Sequence, residues 1–310
     1  MAIFKFDTEA QWLGVKSKDI TSTEVAPLLG ISPYKTRFRL WQEKAGNIES
    51  DFEDSPFTRW GRRLQIPVAL GIADDMGWSC KDLTLLYAQH PTLRLGASMD
   101  HEIGCEKRGR GLQEVKTTSF FTSEGGWEEE AAPIEYECQL QTQLHLAHIN
   151  GDPFDFGVIS ALDGRKNTKN YFRIYDAKFG AKLEYETAAF WQSIIDNNPP
   201  DPDYIADQEL IQMLLPKTRP KEKRDFTNNP QAVELLRIYN DTEVLLKPLR
   251  EQIKPLENRR KEAKNQLLSM IGNAEYVTIG KTQIVAKEVE KEDAFVYGST
   301  RRTFNLRKLK

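Results

Sequence analysis

Cysteine is scarce in this chain of 310 residues: Cys80, Cys105 and Cys138 are odd in number, far apart, and never in a C-x-x-C arrangement. That excludes a disulfide framework and a zinc knuckle, and it suits a reducing, cytoplasmic setting. Histidine is also rare, with four residues, so metal chemistry built on imidazole has few candidates. No apolar run approaches the ~18 residues that span a bilayer, so no membrane association is expected. The opening MAIFKFDTEAQW lacks the basic-then-apolar layout of a secretory signal. Repeats and low-complexity segments are absent too. What is present is an ordinary foldable composition, 39% hydrophobic and 29% charged.

The formal charge of -3 is small, which by itself argues against a polyanion-binding protein, but it hides an asymmetry. Residues 1–216 carry 22 Lys/Arg against 33 Asp/Glu, whereas residues 217–310 carry 21 against 13. A basic segment joined to an acidic one suggests contact with nucleic acid or membrane surface, and a solvated Lys/Glu-rich helix accounts for it as well.

The organisation follows from periodicity and punctuation. Thr21 and Ser22 ahead of Glu24 and an apolar run mark a helix start, and Gly30 with Ser32-Pro33 a stop. Helices are expected over 38–44, 59–76, 135–149 and 182–196, the second a buried helix on Trp60, Leu64, Val68, Ile72 and Met76, with Pro67 as a kink. Strands are expected over 83–88, 93–99, 111–117, 154–161 and 170–177. This alternation predicts an α/β layered domain over 1–216. A charged linker over 217–229 leads to a region over 230–310 that begins with a heptad helix and ends in a small β tail. The heptad runs from Ala232 through Leu235, Tyr239, Leu246, Leu249, Ile253 and Leu256 to Met270, a coiled-coil-like arm. Pro248 and Pro255 predict a kink or break within it. The segments 276–289 and 301–310 alternate like strands.

The stretch richest in chemistry is Asp100 followed by Glu114-Val115-Lys116. In a strand Glu114 and Lys116 project from one face and Val115 from the other. With Asp100 alongside, two carboxylates and an ammonium converge, a set that suits a hard divalent cation with room for phosphate. Taken alone the pattern is common, and an amphipathic strand with a surface ion pair is the more frequent explanation of it. Elsewhere, His145 and His148 could pair on zinc, although packing histidines are commoner. His90 before Pro91 reads as a loop residue. The glutamates from Glu124 to Glu137 read as a solvated acidic loop and helix start, and the tryptophans as core or interface anchors, with base stacking by Trp127 or Phe120 an alternative.

Four blocks alter that balance: WLGVKSKDITSTEVAPLLGISPYKT (12–36), RWGRRLQIPVA (59–69), LGASMD with GLQEVKT (95–117), and YECQLQTQLHLA (136–147). In this order they resemble the lambda exonuclease and YqaJ family of viral recombination nucleases, within the PD-(D/E)XK superfamily. The resemblance implies a central mixed β-sheet flanked by helices, restriction-endonuclease-like, with the site in a cleft that receives a DNA end. It implies that Asp100, Glu114 and the carbonyl of Val115 hold Mg2+, with Mn2+ as a substitute, that Lys116 is the catalytic lysine, and that Gln139 assists beside it. Lys16, Thr21 and Thr23 match positions that hold phosphates, and Arg62 adds local attraction for DNA. Gln65 departs from the pattern, because the family carries Glu there in its catalytic set. A carboxamide keeps an oxygen but loses the charge, so either one metal suffices, or His101 or Glu102 helps, or activity is attenuated. The implied function is a Mg2+-dependent exonuclease that degrades one strand of linear duplex DNA, 5′ to 3′, to supply single strands for phage-type recombination in the host cytoplasm. A catalytically attenuated DNA-binding or scaffold protein of the same fold is the alternative. The implied partners are DNA ends, a single-strand annealing protein, and further copies of the chain in a ring. The superfamily's iron-sulfur branch needs four cysteines and is excluded.

Overall fold

A computed structural model describes residues 3–6, 8–50, 55–122, 125–215, 222–279 and 282–285. The chain divides into two compact units, Met1–Leu214 and Leu215–Lys310. The first runs β1 (Ile3–Lys5), α1 (Glu9–Lys16), β2 (Ile20–Thr21), a 3-10 turn (Ser22–Glu24), α2 (Val25–Leu28), α3 (Arg37–Lys44), α4 (Pro56–Met76), β3 (Ser79–Asp82), β4 (Leu86–Gln89), β5 (Leu95–Ser98), β6 (His101–Cys105), β7 (Gly109–Thr118), α5 (Ile134–Ile149), β8 (Phe156–Asp163), β9 (Thr168–Arg173), α6 (Ala177–Ile195) and α7 (Gln208–Leu214). The second holds α8 (Pro230–Ile271) and the antiparallel hairpin of β10 (Tyr276–Ile279) and β11 (Thr282–Val285).

In the first unit a five-stranded sheet is ordered β3-β6-β7-β8-β9, and a four-stranded sheet β1-β4-β5-β2. Both are mixed, because β7 runs parallel to β8 and β2 parallel to β5, while every other neighbour is antiparallel. Two parallel neighbours need a crossover, and α5 supplies it between β7 and β8. The result is the α/β architecture of sheets flanked by helices that the sequence predicts.

The helix α5 lies close on the sheet because Gly157 faces it: a Cβ there would sit 2.9 Å from Leu140 and 3.0 Å from Leu144. Leu140 and Leu144 are buried in a core with Leu112, Ile159, Ala161, Leu183 and Phe190, and burying each such side chain stabilises by roughly 1.5–3 kcal/mol. The opposite face of β7 turns Val115 toward α4, where Val68, Ala69 and Ile72 pack on it. The sheet is therefore covered on both faces at Glu114-Val115-Lys116.

Several boundaries differ from expectation. The start of the expected 83–88 strand is a turn, in which Thr84 donates to Asp82 and Leu83 to the carbonyl of Asp100. The short strands β1, β2, β3 and β6 and the helices α1 and α7 carry no legible periodicity; β6 is HEIGC, polar at both ends, and its strand character comes from pairing with β7. In α4 the four-spaced row is buried only in its middle, since Trp60 and Met76 are 56% and 45% exposed. The expected break in the arm is absent: α8 is continuous through Pro248 and Pro255. The two prolines are seven residues apart on one exposed side, so the carbonyls they orphan, those of Val244 and Glu251, face water. The helix begins where the 230–310 region was expected to, with Pro230 at its first turn, and the Asn229 side chain caps it by accepting from the Ala232 amide at 2.9 Å. The expected strand over 301–310 and the stretches 286–289 and 217–221 lie outside the described residues.

Candidate active site

Glu114 and Lys116 stand on one face of β7 beneath α5, and Asp100 occupies the turn between β5 and β6 at the edge of the same face. Asp100 leaves the β6–β7 ladder just before the first register pair, His101 with Gln113. Its Oδ2 then accepts from the amide of Val115 at 3.0 Å. The strand backbone thereby aims the Asp100 carboxylate at the residue whose carbonyl lies between Glu114 and Lys116.

The ammonium of Lys116 lies 2.6 Å from Glu114 Oε1 and donates to Gln139 Oε1 at 2.9 Å. Gln139 in turn donates through Nε2 to Glu114 Oε1 at 2.7 Å, so one carboxamide binds both partners of the ion pair. One helical turn further along α5, Gln143 donates to Glu114 Oε2 at 2.6 Å and to the carbonyl of Ser98 at 2.8 Å. Tyr136, one turn before Gln139, places its ring 4.7 Å from the Lys116 ammonium. Gln143 and Tyr136 are contributors the sequence reading leaves unassigned; their signal is the spacing Tyr136, Gln139, Gln143, one stripe of a helix. Gln141, within the 136–147 block, points away and binds the backbone at Ile174 and Asp176.

Electrostatics show what this pocket wants. Burial and the adjacent Glu114 charge push the Asp100 carboxyl up to about 8, against the pull of Lys116 and the Val115 amide. For Lys116 burial acts to lower the affinity for its proton, yet Glu114 and Asp100 outweigh it and the net direction is upward. Burial and the Glu114–Lys116 pair thus disfavour a second negative charge here, and a cation that offsets that charge would let Asp100 give up its proton. A hard divalent cation fits that donor set, which is all oxygen: Asp100, Glu114, and the Val115 carbonyl between them. Gln143 Oε1 adds a buried oxygen with no hydrogen-bond partner.

The helix α1 adds a second cation. Trp12 donates to Ser98 Oγ at 2.9 Å, and Lys16 lies with its ammonium 4.4 Å from the Trp12 ring centre. Burial lowers the Lys16 affinity for its proton, while Glu24, Glu114 and Asp100 raise it, which places Lys16 in the field of the carboxylates.

Residues 11–150 match the YqaJ-like viral recombinase domain. The matched stretch contains Asp100, Glu114, Lys116, Tyr136, Gln139 and Gln143. Over 288 residues the chain is 26% identical to an uncharacterized protein, YqaJ, of Bacillus subtilis strain 168, covering 90% of this chain and 83% of that one. Among solved structures, LHK-Exo in complex with dAMP superposes with a TM-score of 0.50 at 17% identity, over 66% of this chain and 99% of that one. An alkaline exonuclease, LHK-Exo, from Laribacter hongkongensis gives 0.49 at 18% identity, over 65% and 98%. At a TM-score of 0.50 the chain shares the fold of LHK-Exo over about two thirds of its length.

The other residues singled out from the sequence are placed less centrally. Thr21 is buried and gives its hydroxyl and amide to Glu24 Oε2 at 3.0 and 2.9 Å, with Thr23 Oγ1 3.0 Å from its own hydroxyl. Its first task is to hold the turn before α2, whereas Thr23 is exposed. The Glu24 carboxylate is offset by Lys44 at 2.9 Å. Arg62 is exposed on α4. Gln65 is half-buried on α4, which packs on the Val115 face of β7, and its side chain makes no hydrogen bond among the described residues. Glu102 is not available to substitute for it, because Arg110 holds it at 2.7 Å. His101 is fully buried and paired in register with Gln113. The acidic cluster is structural where described: Glu137 pairs with Arg173, and the Glu128 carbonyl accepts from Tyr171. Trp127 is core, packed among Phe121, Tyr136 and Tyr171.

His145 and His148 do not pair; His148 lies against Tyr175, and His145 approaches His90 and Glu184 instead. His90 Nε2 and His145 Nε2 lie 3.2 and 3.1 Å from the same Glu184 oxygen. His90 Nδ1 accepts from the amides of Thr92 and Leu93, so its proton resides on Nε2 and points at Glu184. That arrangement is a carboxylate receiving an imidazole donor, and it leaves His90 no lone pair for a metal.

Proposed function

We propose that this protein is a Mg2+-dependent deoxyribonuclease, with Mn2+ as a substitute, that degrades one strand of linear duplex DNA from an end, 5′ to 3′. The product is single-stranded DNA for recombination in the cytoplasm, handed to a single-strand annealing partner, and a ring of copies would keep DNA engaged between cuts. The observation that carries the reading is the joined set of Asp100, Glu114, Lys116 and Gln139 beneath α5. The exonuclease-like fold and the recombinase domain support it.

Asp100, Glu114 and the Val115 carbonyl would hold the cation. Bound there, it supplies Lewis-acid polarisation of the phosphate and a more acidic water. Lys116 stays protonated at neutral pH because the carboxylates outweigh its burial. Its role is therefore to donate: it orients the attacking water or a non-bridging oxygen and offsets charge that builds on phosphorus. Gln139 fixes the ammonium by accepting from it, and also fixes Glu114 by donating to it. Lys16 is placed to attract a neighbouring phosphate.

The test is digestion of linear duplex labelled at its 5′ or 3′ end, with Mg2+ or Mn2+, for wild type, Lys116→Ala and Asp100→Ala. Loss of label from 5′ ends only by the wild type is expected, and a wild type as inert as both variants with either metal defeats the enzyme reading. A second reading, an attenuated DNA-binding scaffold, is favoured by Gln65. Its discriminator is Gln65→Glu: a large gain in cleavage marks an attenuated site, while robust and unchanged cleavage removes that reading.

A further inference from the structure

The 42 residues of α8 form a rod about 63 Å long. Its apolar row is exposed along its length, with Leu235 at 59%, Leu249 at 51%, Ile253 at 50% and Leu256 at 61%. Among the described residues of its unit, only the four-residue strands β10 and β11 accompany it, each about 13 Å long. They cannot cover the rod.

With Ala232 at position a, the seam runs Ala232, Leu235, Tyr239, Thr242, Leu246, Leu249, Ile253, Leu256, Arg260, Ala263, Leu267, Met270. Pro248 and Pro255 both fall at position c, away from the seam, where neither obstructs a partner helix. Along the flank at position e, Glu243, Arg250, Glu257 and Lys264 alternate in sign at seven-residue steps. Within the helix Arg250 already leans on Glu243.

We propose that α8 pairs with α8 of a second copy of this chain in an antiparallel, two-fold coiled coil centred between Lys254 and Pro255. An inverted copy of the flank is its own complement: Glu243 meets Lys264 of the second copy and Arg250 meets its Glu257, each pair occurring twice by symmetry. The seam then sets Ile253 against Leu256, Leu246 against Ala263 and Leu249 against Arg260, so the arginine stem covers a leucine while its head reaches water. A parallel pair fails on two counts. Arg260 would meet its own copy inside the seam, and Arg259 at position g would meet Lys264 at position e, like charges in both places. The inference is independent of the nuclease reading, because it rests on α8 alone.

The experiment is sedimentation of the full chain without DNA, as wild type, as Lys264→Glu, and as the double variant Glu243→Lys with Lys264→Glu. Self-association of the wild type is expected, weakened roughly tenfold by Lys264→Glu through two lost pairs and restored toward wild type in the double variant. A parallel pair predicts the opposite sign for Lys264→Glu, since it would relieve the clash with Arg259. A monomeric wild type, assembly insensitive to Lys264→Glu, or assembly strengthened by it each overturns the proposal.

Discussion

The amide of Val115 donates to Asp100 Oδ2 at 3.0 Å, so the strand bond that would have gone to a neighbouring backbone carbonyl goes to a carboxylate instead. Asp100 thereby has two tasks, one in the β7 backbone and one in the charge of the pocket, and substitutions separate them.

Asp100→Asn keeps an acceptor for the Val115 amide and Asp100→Ala does not. The Ala variant should unfold with about 1–3 kcal/mol less stability than the Asn variant, the cost of an unpaired buried donor. Both should lose divalent-cation binding. Chemical denaturation with and without Mg2+ checks this, and equal stability of the two variants would show that the amide finds another acceptor.

Without cations, Asp100 also shapes the pH dependence of folding. Its folded value lies near 8, above the ordinary carboxyl range, because burial and Glu114 oppose ionisation. The folded state therefore holds its proton longer than the unfolded chain, and this contribution to stability declines as pH rises from about 4 to about 8. The advantage of Asp100→Asn over wild type in cation-free buffer should grow across that range and level off above it, read from melting temperatures at pH 5, 7 and 9.

Gln143 holds Glu114 Oε2 and the Ser98 carbonyl together. Partners that orient a metal-binding carboxylate typically account for roughly 10–100-fold in metal affinity or activity. Gln143→Leu should raise the Mg2+ concentration for half-maximal cleavage by that order while leaving the fold intact. Gln141→Leu, on the outward side of the same helix, serves as the control.

Burial lowers the His145 affinity for its proton, with Glu184 opposing and the neighbouring histidines adding to it. The folded protein keeps His145 neutral at pH values where the unfolded chain is protonated, so stability is present above about 6.5 and declines as pH falls below it. Replacing His145 with Gln should flatten the fall in melting temperature between pH 6.5 and 5; an unchanged slope would assign that acid sensitivity to other groups.

Pro248 and Pro255 sit on the exposed side of α8, where each forgoes a helix bond. Replacing either with Ala should raise the thermal stability of the arm's helical signal, up to the ~3 kcal/mol that separates the two residues in a helix interior. If neither substitution moves the transition, hydration of the freed carbonyls already makes good the loss.

The sequence alone determined much of the alternation of helices and strands, because the apolar run of β8 and the four-spaced row in the middle of α4 are legible locally and are buried. It also determined that Glu114 and Lys116 share a face, since strand pleat admits no other arrangement, and its motif blocks pointed to Asp100 and Gln139. The arm's start at residue 230 was legible, and its seam as a heptad, while the Asn229 cap emerged only in the structure. Tertiary structure decided the rest. The short strands β3 and β6 exist through pairing rather than through local preference, and the prolines of α8 are tolerated because the side they occupy is open to water. That Gln143 and Tyr136 join Gln139 over the ion pair depends on how closely α5 settles on Gly157, a distance no local pattern encodes. Glu102 illustrates the converse: its chemistry made it a candidate in the sequence, but Arg110 claims it.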